Sequence, residues 1–230
     1  MSSIRPDRSR SKLPLAVFLL IAAAVLAGGA LYLWPRLESE PPRIAVTPDA
    51  DVLGAAPLEI RITDAGTGLK SVSATLSQGG TEHSLASEQF AQPAGEKTIA
   101  VTPAKVGGVR EGPAVLRITA RDASLWRGNA AVLEKNVTID VTPPTLELVA
   151  DDRYINFGGV GAIVYRASTD TVHSGVRMGE RVFPGFAGLV DGHPDRLFAL
   201  FAHPYDAPPE ARPVLFATDR AGNTREMRLA

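Results

Sequence analysis

Hydrophobic and polar positions along this chain follow two different rhythms, and they change over at about residue 36. From Leu13 to Pro35 no side chain is charged. The stretch Leu13–Trp34 is apolar on every face, without the polar stripe of a helix that lies on a soluble core. Its 22 residues, at about 1.5 Å each, make roughly 33 Å of helix, enough to cross a hydrocarbon layer about 30 Å thick. From Pro41 onward the rhythm has period two. Leu58, Ile60 and Ile62 alternate with Glu59, Arg61 and Thr63; Leu116, Ile118 and Ala120 alternate with Arg117 and Thr119; Val137, Ile139 and Val141 alternate with Thr138 and Asp140. Such alternation predicts strands with one buried and one wet face. Eighteen prolines and 21 glycines punctuate the runs as turns.

The strand pattern occurs twice. Pro41-Pro42-Arg43-Ile44-Ala45-Val46 is matched by Pro143-Pro144-Thr145-Leu146-Glu147-Leu148. Asp64-Ala65-Gly66-Thr67-Gly68-Leu69 is matched by Asp170-Thr171-Val172-His173-Ser174-Gly175-Val176. Ala120-Arg121-Asp122, closing on Gly128-Asn129, is matched by Ala217-Thr218-Asp219, closing on Gly222-Asn223. Landmarks in the same order at a spacing of about 100 residues indicate a tandem duplication. The proline pairs open each copy, and the Asp-led segments predict tight turns with a carboxylate capping backbone N–H groups. Strand spacing with these turns predicts immunoglobulin-like sandwiches. The expected fold is mainly β: one N-terminal transmembrane helix followed by two tandem Ig-like β-sandwich domains. The expected divisions are a cytoplasmic basic tail over 1–12, the membrane helix over 13–34, a linker over 35–43, and sandwiches over 44–141 and 142–230.

Charge sets the topology. Arg5, Arg8, Arg10 and Lys12 precede the apolar stretch against the single acid Asp7, which keeps the N-terminus in the cytoplasm. Tyr32 and Trp34 suit the far interface. A cleaved signal peptide is the competing reading, since Ala-Val-Leu-Ala before Gly28-Gly29 offers small residues, but its apolar core is about 7–15 residues and this one is longer. The expectation is a single-pass protein of a bacterial inner membrane, with everything after Arg36 in the periplasm. Residues 37–230 hold 19 Lys and Arg against 24 Asp and Glu, a net of −5, which argues against nucleic acid as a partner. The absence of cysteine excludes disulfides and thiolate metal sites.

Candidate chemistry is sparse. His193-Pro194-Asp195 and His203-Pro204-Tyr205-Asp206, with Asp191 nearby, form the single His/Asp concentration, and two histidines with a carboxylate are a zinc ligand set. The intervening Leu197–Phe201 reads as a buried strand that holds the two imidazoles at opposite ends, about 20–30 Å apart at 3.3 Å per residue, so both are read as turn residues. With His83 and His173 they are the four histidines of the chain, no two of them closer than ten residues. Asp151-Asp152 and Asp49-Ala50-Asp51 lack the alternating oxygens of a strong Ca²⁺ loop and read as solvated turns. Ser174 before Gly175 reads as turn chemistry, Asn136-Val137-Thr138 as a strand rather than a glycan acceptor, and Trp126, Phe183 and Phe186 as core. The residues therefore name no catalytic, cofactor-binding or metal site.

One further pattern is recognisable. Val164-Tyr165-Arg166-Ala167-Ser168-Thr169-Asp170, Ser174-Gly175-Val176-Arg177-Met178-Gly179, Phe183-Pro184-Gly185, Ala199-Leu200-Phe201-Ala202-His203-Pro204-Tyr205-Asp206 and Ala217–Asn223 together resemble the N-terminal, non-catalytic region of membrane-anchored lysostaphin/LytM-type zinc metalloendopeptidases of Gram-negative bacteria. The resemblance implies an anchor and β-rich modules ahead of a C-terminal domain that cuts peptidoglycan cross-links. It implies zinc only in that further domain, because no His-x-His exists here, and no catalytic residue carries over. The expected function is a periplasmic spacer or docking region for such an enzyme. The alternative is a stand-alone envelope binding module or adhesin-like scaffold with its ligand on the loop from Phe186 to His193. The expected partners are the cytoplasmic membrane and either peptidoglycan or an envelope protein.

Overall fold

The computed structural model describes residues 13–34, 37, 39–125, 129–152 and 155–229, with the side chains of its helix described from Val17. The basic tail residues Arg5, Arg8, Arg10 and Lys12, and Trp126, lie outside the described residues.

Helix α1 spans Leu13–Leu33. Its described side chains, from Val17 on, include exposed Phe18, Leu20, Leu26 and Leu31, with nothing packed against them to form a core. Among the described residues no helix is long and apolar enough to cross a membrane.

The first module contains β1 (Arg43–Thr47), β2 (Val52–Leu53), β3 (Leu58–Thr63), β4 (Leu69–Gln78), β5 (Thr81–Ala94), β6 (Glu96–Val101), β7 (Gly112–Asp122) and β8 (Ala130–Ile139). They form a three-stranded sheet, β1-β3-β6, and a five-stranded sheet, β2-β8-β7-β4-β5. Pairing is antiparallel except between β2 and β8, where Val52 lies beside Thr138 and Leu53 beside Ile139 in parallel. The period-two runs are the reason these sheets face each other. Leu58, Ile60 and Ile62 of one sheet bury against Val72, Ala74, Leu76, Leu116 and Ile118 of the other, while Glu59 and Arg61 stay in water. Burying a large aliphatic side chain is worth about 1.5–3 kcal/mol, so this shared core fixes the pairing. Strand β8 stops at Ile139, short of the expected strand position Val141.

The second module contains β9 (Leu146–Asp151), β10 (Val160–Ala167), β11 (Thr171–Met178), β12 (Arg181–Pro184), β13 (Phe186–Ala187), β14 (Leu197–Ala202), β15 (Val214–Asp219) and β16 (Thr224–Arg228). Its two four-stranded sheets are β13-β14-β10-β9 and β12-β11-β15-β16. Ile163, Tyr165, Ala199 and Phe201 of the first meet Val176, Met178 and Leu215 of the second in one buried cluster. The fold is thus mainly β, with two sandwich-like modules in series.

Two local expectations are corrected. In the first copy the Asp-led turn forms as expected: Asp64 Oδ1 accepts from the N–H groups of Gly66 and Gly68, both at 2.9 Å, and Gly68 has φ +82°. In the second copy Ser174 and Gly175 are not a turn. They lie inside β11, where Ser174 Oγ bonds the hydroxyl of Tyr165 at 2.8 Å and Gly175 pairs with Pro184 of β12. A polar serine there is satisfied by a core tyrosine, which removes its need for a turn. Phe183 packs half-buried against the core, but Phe186 is 54 % exposed and points outward from the sheet. Its strand is an edge of only two residues, with Phe186 set opposite Phe198 on the outer face.

Candidate functional site

The modules meet at a built junction. Its parts are the loop after β2 (Gly54-Ala55-Ala56), Asp140 just beyond β8, and the β15–β16 turn from Asp219 to Asn223. The Ala56 N–H donates to the Ala221 carbonyl at 2.8 Å. Asn223 Nδ2 donates to the Asp140 carbonyl at 3.0 Å and to Asp219 Oδ2 at 2.9 Å, and its backbone N–H donates to Asp219 Oδ1 at 2.9 Å. Asp140 is held in turn by the Leu53 carbonyl, which accepts from its N–H at 2.9 Å. Two glycines make the approach possible. A Cβ on Gly54 would overlap the Asp140 carbonyl oxygen, and one on Gly222 would lie 2.6 Å from both the N and the Cβ of Ala56. Gly222 also has φ +81°, a conformation that side-chain-bearing residues rarely adopt.

Three carboxylates converge at this junction. Ligand-capable oxygens of Asp140, Asp170 and Asp219 all lie within 4.8 Å of one another. Asp219 is 2 % exposed. None of the ion pairs among the described residues involves any of the three. The Asp140 carboxyl is pushed above its ordinary range, first by burial, partly offset by the Thr142 N–H, and further by the charges of Asp219, Glu111 and Asp170. Sequence reasoning set Asp170 and Asp219 apart as turn residues and took Asp140 as a strand position, so the grouping went unseen. Its one signal was the recurrence of Asp at matched landmarks in both copies.

The residues weighed for metal from the sequence do not assemble. His193 is exposed in the loop before β14 and His203 is buried just after it. His203 Nε2 lies 3.0 Å from the Pro208 carbonyl, and its ring meets Phe157 edge-on at 5.1 Å, so it fastens a loop. Asp195 pairs with Arg166 at 2.6 Å and Asp206 with Arg181 at 2.7 Å, and each arginine holds its partner's carboxyl below the usual range. Asp191 is exposed in its turn. Both Asp49 and Asp51 pair with Lys135, and Asp152 Oδ2 accepts from the Ala162 N–H at 2.8 Å while Asp151 ends β9. His83 is half-buried on β5, His173 is exposed on β11, and Asn136 is exposed on β8.

A second surface feature belongs to the β13-β14-β10-β9 sheet. On its outer face Phe186, Phe198, Val164 and Ala150 stand side by side across four strands, with Leu200 beside Ala162 and Val160 beside Ala202 in the next rows. Leu200 is 57 % exposed. The outer face of β1-β3-β6 instead carries Arg43, Glu59, Arg61, Thr63 and Glu96. Among the described residues, charge borders the apolar face where Arg166 meets Glu147 and Asp195, and where Asp152 pairs with Ala162.

No family model and no curated protein matches the chain. Among solved structures, it is similar to a tetra-tandem repeat in the extending region of a large adhesion protein, at 14% identity and a TM-score of 0.33, covering 83% of this chain and 48% of that one. It is similar to the adhesin InvE of Yersinia pseudotuberculosis, at 16% identity and a TM-score of 0.28, covering 82% and 58%. It is also similar to a YadV chaperone, at 10% identity and a TM-score of 0.31, covering 83% and 100%. The chain spans about half the length of the adhesion-protein repeat it matches. None of these similarities reaches the level at which likeness of fold carries likeness of function.

Proposed function

We propose that this chain is an adhesin-like scaffold of the bacterial envelope, tethered by its N-terminal apolar segment to the inner membrane and placing two immunoglobulin-like modules in the periplasm. The observation that carries the reading is the inter-module junction. A linker left to flex needs no Gly54 and Gly222 cut to fit opposing backbone, and no asparagine divided between two modules. Holding two sandwiches in fixed series is the work of a structural arm. The candidate chemical groups support the same reading, because His203, Asp195 and Asp206 are spent on tying loops down. The tether rests on the 22 uncharged residues Leu13–Trp34 and the basic residues before them.

Spin labels on one exposed strand position of each module, in the full chain reconstituted in nanodiscs, test the arm. A narrow distance distribution is expected, and a broad one typical of a free linker overturns the reading. A cysteine introduced in the second module and labelled from outside in spheroplasts tests the topology, with labelling expected; protection of that cysteine refutes the periplasmic placement.

A second reading has its own observation. Tyr165, Ser174 and Gly185, three residues of the motif that resembles the LytM-type endopeptidases, come together: Tyr165 bonds Ser174, and Gly185 packs on the tyrosine ring. In that reading the arm is the non-catalytic spacer of a cell-wall endopeptidase. Co-sedimentation of the full chain with purified sacculi, abolished by charge introduced at Leu200, favours docking on peptidoglycan; no co-sedimentation removes peptidoglycan as the partner.

A further inference from the structure

The carboxylates at the junction have counterparts in the first module, and the two sets explain each other. Asp64 and Asp122 occupy the landmarks that Asp170 and Asp219 occupy in the second copy. Both first-module residues are more than nine-tenths buried, at 8 % and 1 % exposed. Each uses Oδ1 to cap backbone, Asp64 from Gly66 and Gly68 and Asp122 from Ser124, and each leaves Oδ2 buried with no donor. They converge on one loop: the Gly68 N–H donates to Asp64 while the Gly68 carbonyl accepts from Ala123, next to Asp122. Glu40, from the segment entering the module, lines a cleft with Asp64, Arg43 and Glu96, and its carbonyl accepts weakly from Asn129 Nδ2 at 3.5 Å. Asn129 thus stands to the incoming segment as Asn223 stands to Asp140.

An orphaned, buried carboxylate oxygen costs several kcal/mol unless it is paired or bound to a metal. Two such oxygens in one module, and three clustered carboxylates at the matching pole of the other, share one remedy. In the second module Thr171 adds a buried hydroxyl without a partner, directly across from Asp219 and next in sequence to Asp170. Carboxylate and hydroxyl oxygens are the ligands that hard divalent cations such as Ca²⁺ take. The oxygens of Asp140, Asp170 and Asp219 fall within 4.8 Å.

We propose that each module binds one hard divalent cation of the Ca²⁺ class at the pole where the preceding segment enters, through Asp140, Asp170 and Asp219 in the second module and through Asp64 and Asp122 in the first. In the second module the ion links the end of β8 to the β15–β16 turn, so it joins the modules as well as neutralising them. The inference rests on these carboxylates and not on the scaffold reading, which stands or falls on distance distributions measured without added metal.

Calorimetric titration of the full chain in detergent with CaCl₂ alone, after chelator treatment, is the test. Two equivalents are expected, with affinity in the range of about 10⁻⁴–10⁻³ M typical of extracellular modules, and a thermal midpoint that rises with Ca²⁺. Asp170→Asn and Asp64→Asn keep the shape of the side chain, and Asn at position 64 keeps an oxygen for the Gly66 and Gly68 caps. Each should remove one equivalent, or weaken it at least tenfold, while the circular dichroism spectrum stays native. No heat up to 10 mM CaCl₂, a single equivalent in the parent protein, or binding that neither variant alters overturns the proposal.

Discussion

Asn223 belongs to two modules at once: its side-chain amide donates to Asp219 Oδ2 at 2.9 Å within its own turn and to the Asp140 carbonyl at 3.0 Å across the junction. Both donor hydrogens of the amide are therefore used, and the residue is 4 % exposed. Aspartate in its place would bring a fourth carboxylate to the cluster.

Asn223→Ala should cost about 1–3 kcal/mol, because it leaves a buried carbonyl and one buried carboxylate oxygen without their donor. The loss should appear in urea denaturation as a lower midpoint of the second module's transition. A change under about 0.5 kcal/mol, the usual range for surface positions, would show that the junction bonds carry no weight.

Gly185 makes room for Tyr165. A Cβ there would overlap the tyrosine hydroxyl and lie 2.8 Å from Cζ. Tyr165 is fully buried and bonded to Ser174, so it has nowhere to retreat. Gly185→Ala is expected to destabilise the protein by about 1–3 kcal/mol, the usual cost of forcing extra atoms into a packed core. Combined with Tyr165→Phe, which removes the oxygen that is struck, the substitution should cost less than it does alone. A double-mutant cycle measures the difference, and strict additivity contradicts the contact.

The Arg181–Asp206 pair joins β12 to the loop after β14, with Nη2 to Oδ2 at 2.7 Å. The hydrogen bond from Arg181 holds the Asp206 carboxyl below its ordinary range. A carboxyl depressed in the folded state contributes its tether fully above the unfolded value of about 3.9 and loses it as pH falls through the lower folded value. Carbon-13 titration of the Asp206 carboxyl should therefore find a midpoint below that of a free aspartate. Arg181→Met should return it to the ordinary value, and an unchanged midpoint would assign the depression elsewhere.

Strand identities were legible wherever one face is buried and the other wet. Leu58, Ile60 and Ile62, or Leu116, Ile118 and Ala120, announce their sheets because burial alternates with the backbone pleat. Ser174 misled because its partner, Tyr165, lies on another sheet, and no local rule tells a strand serine from a turn serine. Phe186 misled because aromatic residues usually fill cores, whereas a two-residue edge strand holds it opposite Phe198 on the outside. The carboxylate cluster was least legible. Asp140, Asp170 and Asp219 come from the end of one module and two separate turns of the next, and only packing brings them together. What the chain did record was the repetition of Asp at matched places in its two halves.

Asp140 follows β8 of the first module, yet its carbonyl and carboxylate serve the second. Cloning boundaries placed between residues 139 and 146 would therefore injure one half or the other. A fragment that starts after Asp140 loses the acceptor for Asn223 and a third of the acidic triad, and a fragment that stops before Asp140 gives up the N–H that anchors Leu53. The two sandwiches look separable on paper, but Asp140 is shared between them, and dissection that spares its bonds on both sides has to duplicate it.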